Sequence, residues 1–245
     1  MDDRIKAIPN IAAPEKYGNG ELRVSLPEIM DSEFVEIQNN GYHETGTFIE
    51  VAMQYPILGM KNAEKKCYVR KEVYERLISA AEMLPEGYQL KILDAWRPFA
   101  LQQELYTTYS DRIVKEFGLS GYSEEEQRSV IRKYVSEPIE DRELPPVHTT
   151  GGAVDLTIIG KDGKELEMGT DFDAFTDKTN TSYFETGENI EIRDNRRLLY
   201  HVMTKAGFTN LPSEWWHFDY GDHFWAYYNH KSALYRGVFT KEDMH

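Results

Sequence analysis

Glu214-Trp215-Trp216-His217 and, earlier in the chain, His148 and Asp155 gather two imidazoles and two carboxylates into two short stretches. Zinc takes nitrogen and oxygen ligands in a tetrahedron, and a catalytic zinc site keeps one position open. Three of these four groups suffice as ligands. The fourth is then free to take a proton from an activated water. On this reading His148, Asp155 and His217 hold one Zn2+ per chain, and Glu214 is the general base. A single Glu-x-x-His match, or one histidine among 7, is ordinarily structural or solvated. The combination, with an aromatic pair between Glu and His, singles out this set.

The elements that must position these groups follow from the spacing. Residues 153–158 alternate as a half-buried strand does. Val154, Leu156 and Ile158 are expected toward the core, and Ala153, Asp155 and Thr157 toward the other side. His148 stands an odd number of positions before Asp155, which in an unbroken strand would put the two on opposite faces. Gly151-Gly152 interrupts the strand, and glycine permits a positive φ, so His148 is expected from a loop folded back beside Asp155. Trp215, His217 and Asp219 are expected on one face of a second strand. Glu214 then falls in the turn after Pro212-Ser213.

The remaining pattern predicts an α+β fold, a mostly antiparallel sheet carrying the metal ligands on one face with helices packed on the other. The chain reads as one domain over 1–245, with 1–45 as an N-terminal extended segment packed on it. Residues 48–53 read as a strand. A helix is expected over 69–84, where Val69, Val73, Leu77, Ala81 and Leu84 recur at helical spacing before Pro85-Glu86-Gly87. A buried strand over 88–96 leads to Arg97-Pro98, then a helix over 98–117 ended by Gly118. Arg97 thus sits at a strand-to-helix junction, facing a cleft or simply pairing with Asp94. Ser123 and Glu126 form a capping box for a short helix to 134. The segment 119–147 is a candidate cover for the site. A turn over 160–164 lacks the glycine and lysine pattern of a phosphate loop. A last helix is expected over 194–206, with Asp194 as N-cap, Gly207 at C′, and Leu198, Leu199, Val202 and Met203 as its buried stripe. Asp173, on residue type alone, is a surface or capping carboxylate.

Composition excludes several classes. The 245 residues carry a net charge of −14, which repels phosphate backbones and anionic membrane surfaces, so neither nucleic acid nor membrane is an expected partner. The aromatic tail 224–228 is accordingly read as packing, not as a base-stacking platform. The one cysteine, Cys67, allows neither an intrachain disulfide nor a cysteine zinc site. No basic segment followed by an apolar run opens the chain, and no stretch approaches the ~18 apolar residues of a membrane helix. A cytoplasmic location is expected. The oligomeric state is open, a homo-oligomer included.

His-x-x-Gly-x-Ala-x-Asp followed by Glu-Trp-Trp-His resembles the D-alanyl-D-alanine dipeptidases of the vancomycin-resistance type, within the zinc D,D-peptidases. Further blocks agree in order: Leu93-Asp94-Ala95-Trp96-Arg97-Pro98, Met168-Gly169-Thr170-Asp171-Phe172-Asp173 and Asn195-Arg196-Arg197-Leu198. The resemblance runs from about Gly46 to Tyr220. It implies hydrolysis of D-alanyl-D-alanine or similar D-amino-acid dipeptides by a Glu-activated water. It further implies that Arg97 stabilises the charge on the scissile carbonyl and that Asp173 binds the substrate ammonium. One departure stands out: where the family usually has Ser two positions before the first His ligand, this chain has Pro146, with neither hydroxyl nor N–H. Trimming of longer peptidoglycan peptides by a D,D-carboxypeptidase, another dipeptidase specificity, and a non-catalytic zinc-binding homologue are the alternatives.

Overall fold

The computed structural model describes residues 6–11, 32–38 and 49–244. In chain order the elements are strands β1 (Phe34–Ile37) and β2 (Ile49–Val51), helix α1 (Gln54–Ile57), β3 (Cys67–Arg70), α2 (Lys71–Glu82), β4 (Gln89–Asp94), α3 (Phe99–Glu116), α4 (Glu124–Ile131), β5 (Ala153–Ile159), α5 (Ile190–Lys205), β6 (Thr209–Asn210), β7 (His217–Asp219) and α6 (His223–Asn229). A five-stranded sheet has the order β2-β4-β5-β7-β6, and β1 pairs with β3 in a separate two-stranded sheet. Only the β2–β4 pairing is parallel among the described strands. The architecture is α+β with a mostly antiparallel sheet, as the alternation predicts.

The two faces of β5 divide as its sequence dictates, but the strand is buried on both faces and not half-buried as expected, because the cleft side is covered as well. Val154, Leu156 and Ile158 enter the main core with Leu90 and Ile92 of β4 and Phe218 of β7. The apolar stripes of α2 (Val73, Leu77, Ala81) and α5 (Leu198, Leu199, Val202, Met203) pack into the same core. Each such aliphatic side chain, once buried, contributes about 1.5–3 kcal/mol. A second cluster joins Leu101, Leu105, Tyr109 and Ile113 of α3 to Tyr55, Ile131 and Val135. Helices therefore also stand beside the sheet's other face and wall the cleft there.

Several boundaries differ from expectation. Val69 lies in β3, paired with Val35 of β1, so α2 begins at Lys71. The strand partner, invisible to a helical count, claims the first residues of the stripe. Helix α5 starts at Ile190, not at 194; Asp194 lies inside it, ion-paired with Arg193 at 2.9 Å, and is not the N-cap. Trp215 precedes β7 and packs in the main core with Trp216, so it does not share the face of His217 and Asp219. Helix α4 has the full Ser123–Glu126 capping box but ends at Ile131. Of the strand expected over 48–53, Ile49–Val51 is formed and Phe48 lies outside the described residues. Most of 1–45 also lies outside them. No helix among the described residues is long and apolar enough to cross a membrane.

Candidate active site

The β5–β7 ladder does the first part of the assembly. Asp155 and His217 are directly opposed in the antiparallel register, so their side chains rise from one face as neighbours. Asp219, two residues on, shares that face. His148 arrives from a 3-10 turn, Val147–Thr150, closed by Gly151 at φ 74°. A Cβ at Gly151 would sit 2.4 Å from the Phe34 ring, and one at Gly152 2.5 Å from the carbonyl oxygen of Tyr220. Glycine is therefore needed twice for the turn to fold back. Thr149 and Thr150 donate their hydroxyls to the carbonyls of Pro146 and Val147, which fixes the turn from within.

One ligand atom from each of His148, Asp155 and His217 lies within 4.8 Å of the others. His148 Nε2 is 3.2 Å from His217 Nδ1 and 3.4 Å from Asp155 Oδ2; His217 Nδ1 is 3.0 Å from Asp155 Oδ1. The outer nitrogens decide the tautomers. His148 Nδ1 donates to the carbonyl of Ala95 at 2.9 Å, and His217 Nε2 to Asp219 Oδ1 at 2.7 Å. In the neutral rings both inner nitrogens are then bare, and three electron-pair donors face one point. Such donors fit a cation, and outer hydrogen bonds of this kind are what orient metal-binding histidines. Burial would lower the pKa of His217, but Asp219 and Asp155 raise it well above the ordinary histidine value. Burial likewise opposes ionisation of Asp155, yet the two imidazoles hold its carboxyl well below the usual range.

Glu214 lies in the turn expected for it. Its N–H donates to Leu211, and Asn210 donates its side-chain amide to the carbonyls of Glu214 and His217. Its Oε2 stands 3.9 Å from His217 Nδ1. Burial pushes its pKa up to about 8, which marks it as a carboxyl that holds a proton readily.

Arg97 stands three residues beyond the last residue of β4, Asp94. A register shift between Ile92 and Asp94 sets Asp94 opposite Asp155, the re-aiming that a bulge allows. Arg97 then donates to Asp94 Oδ2 through Nε and Nη2 at 3.0 and 2.8 Å, to Gln102 Oε1 at 2.7 Å and to the Tyr55 hydroxyl at 3.2 Å. Its Nη2 is 3.9 Å from Asp155 Oδ2. The pairing with Asp94 and the position in the cleft are therefore compatible.

Asp173 lines the same cleft, half-buried and not freely exposed, and adopts φ 56°, a left-handed conformation that is uncommon outside glycine. Its Oδ2 accepts hydrogen bonds from the hydroxyls of Tyr55 and Tyr109, both at 2.8 Å. Burial, with the charge of Asp155 nearby, pushes its pKa up to about 6. Pro146, Tyr134, Val135 and Ser136 also line the cleft, so the segment before His148 forms one wall. Sequence reasoning missed Tyr55, Gln102 and Tyr109. Of these, Tyr109 carries a usable signal: it lies on the α3 face that Leu101, Leu105 and Ile113 bury.

Bare nitrogens converging with a carboxylate, beside a proton-holding carboxyl and a fixed guanidinium, define a metal-dependent hydrolase in chemical terms. The D-ala-D-ala dipeptidase family model matches residues 50–235, which contain every group just described. The chain belongs to this peptidase family. It is 32% identical over 189 residues to a D-alanyl-D-alanine dipeptidase of Synechocystis, covering 69% of this chain and 76% of that one. With the D-alanyl-D-alanine dipeptidase of Escherichia coli the identity is 29% over 159 residues, 64% of this chain and 68% of the relative. A solved structure of VanYB in complex with D-alanine-D-alanine is 16% identical with a TM-score of 0.41, over 71% of this chain and 84% of that chain.

Proposed function

We propose that this chain is a zinc-dependent dipeptidase that hydrolyses D-alanyl-D-alanine or closely related D-amino-acid dipeptides, with the whole activity in one domain. The observation that carries the proposal is the convergence of three ligand atoms within 4.8 Å of one another, next to a carboxyl that is not among them. His148, Asp155 and His217 would hold the metal. Zinc, when bound there, supplies a Lewis acid that polarises a carbonyl and lowers the pKa of water toward ~7.

The chain's own residues do the rest. Glu214 accepts the proton of the attacking water and passes it to the leaving amine. A carboxyl held near neutral pKa by burial suits both halves of that transfer. Arg97, permanently charged and locked by Asp94 and Gln102, stabilises the oxyanion that develops on the scissile carbonyl. Asp173 binds the substrate ammonium through Oδ1, since Oδ2 already accepts from two tyrosines. Trp216, in edge contact with Phe172 at 5.4 Å, packs into the main core beside the Glu214 turn and takes no part in the chemistry.

A cytoplasmic location and a small-peptide substrate belong to the same proposal; cell fractionation checks the first. The second is checked with zinc-loaded protein on D-Ala-D-Ala, its N-acetyl form, L-Ala-L-Ala and a pentapeptide ending in D-Ala-D-Ala. The expected result is cleavage of the free D,D-dipeptide alone. Equal cleavage of the free and acetylated peptides would favour a D,D-carboxypeptidase instead.

A further inference from the structure

The loop that carries Asp173 is closed at its neck by one side chain. Arg196 of α5 is 2% exposed, and its guanidinium donates to three backbone carbonyls: Nε to Met168 at 2.8 Å, Nη1 to Asn180 at 2.7 Å and Nη2 to Lys178 at 2.8 Å. Met168 stands at one end of the loop and Lys178 and Asn180 at the other. Asp173 lies midway between them. Neighbouring Asn195 adds a fourth bond, to the carbonyl of Glu167 at 3.0 Å. No ion pair joins Arg196 to a carboxylate among the described residues, so its donors serve the loop.

The same loop is tied to the turn that carries Glu214. The Trp215 indole N–H donates to the Thr170 hydroxyl at 2.8 Å, and the Trp215 backbone N–H donates to Thr179 at 3.0 Å. The Arg196 guanidinium lies 5.8 Å from the Trp215 ring and 4.8 Å from that of Phe184. Asp173 is left in a left-handed conformation, a strained state that persists only where its surroundings over-determine it. The fork geometry of a guanidinium suits this task; a lysine offers one point charge and no fork.

We infer that Arg196 is a positioning residue for recognition of the substrate's free amine: it staples both ends of the 168–180 loop and so sets where the Asp173 carboxylate stands relative to Glu214. The inference rests on the proposed role of Asp173. Arg196 does not line the cleft, and its effect should therefore be confined to where the ammonium sits.

The test compares Arg196→Lys, Arg196→Met and Asp173→Asn as zinc-loaded proteins. The readouts are kcat and KM on D-Ala-D-Ala and on N-acetyl-D-Ala-D-Ala, zinc content, and Tm. Both Arg196 variants should keep one zinc per chain and a kcat within about threefold. Their KM for the free dipeptide should rise roughly ten- to a hundredfold, the scale of a remote misplacement of about 1 Å, and their preference for free over acetylated peptide should fall with it. Should Arg196→Met fail to fold, Arg196→Lys carries the test, because it keeps the charge and loses only the fork. Lost selectivity in Asp173→Asn beside full selectivity in Arg196→Lys overturns the inference alone. So does a lowered Tm with KM and selectivity unchanged, which marks a purely structural role. Unchanged selectivity in Asp173→Asn removes the amine-site reading, and the inference with it.

Discussion

Three carboxylates line one cleft, Asp155 fully buried and Glu214 and Asp173 half-buried, and their surroundings give them different work. Asp155 is flanked by two imidazoles, which hold its pKa down. Glu214 and Asp173 are pushed up to about 8 and about 6, chiefly by burial. For Asp173 the sign of the stability effect can be worked out. Its folded pKa lies above the unfolded value near 3.9, so between roughly pH 4 and 6 the native state binds the extra proton and stability falls as pH rises. Above pH 6 ionisation of this group costs the fold on the order of 3 kcal/mol. Asp173→Asn keeps an acceptor for Tyr55 and Tyr109. It should raise Tm at pH 7.5, leave Tm nearly unchanged at pH 3.5, and abolish the preference for free over N-acetylated dipeptide. Thermal denaturation at the two pH values checks the first part; a gain of equal size at both would show that charge is not the cause. Arg97→Ala should retain zinc and lower kcat by about 10²–10³-fold, the usual cost of one oxyanion donor, in steady-state assays alongside metal analysis.

Among the elements, the turn before β5 is the most demanding. Gly151 combines a positive φ with a close approach to the Phe34 ring. Gly151→Ala should lower stability by more than 1 kcal/mol and weaken zinc binding, because the displaced turn carries His148. Ser123→Ala removes a cap on exposed α4 and should cost about 0.5–2 kcal/mol without touching kinetics. Urea denaturation with zinc titration separates the two.

This contrast also shows what the sequence makes legible. The facing of β5, the turn at Gly151 and the placement of Glu214 are local consequences of period and glycine chemistry, so the convergence of His148, Asp155 and His217 could be read directly. The start of α2 could not, since Val69 is claimed by Val35 far back in the chain. Nor could Tyr55 and Gln102. Their roles arise only when α1 and α3 are brought against Arg97 and Asp173, and a tyrosine in a four-residue helix has no period to betray it.

For the molecule as a whole, the site joins the main core to the α3–α4 cluster across one sheet face. His148, Asp155 and His217 come from separate elements that also carry Val154, Phe218 and Val147 into apolar clusters. Metal binding is then linked to folding, and a ligand at a hundred times its Kd stabilises by about 2.7 kcal/mol. Chelation should therefore lower Tm as well as abolish activity, and re-addition of zinc should restore both. A chelated protein with unchanged Tm would argue against a cation at this cluster.

The division of labour between ligand and base is decided by Glu214→Gln, with zinc content and kcat determined on the same preparation. The amide is nearly isosteric with the carboxyl but takes no proton. One zinc per chain with kcat reduced by roughly 10²–10⁴-fold is the expected result. Loss of zinc from the variant would make Glu214 a ligand, and full activity with zinc in place would show that another group carries the proton.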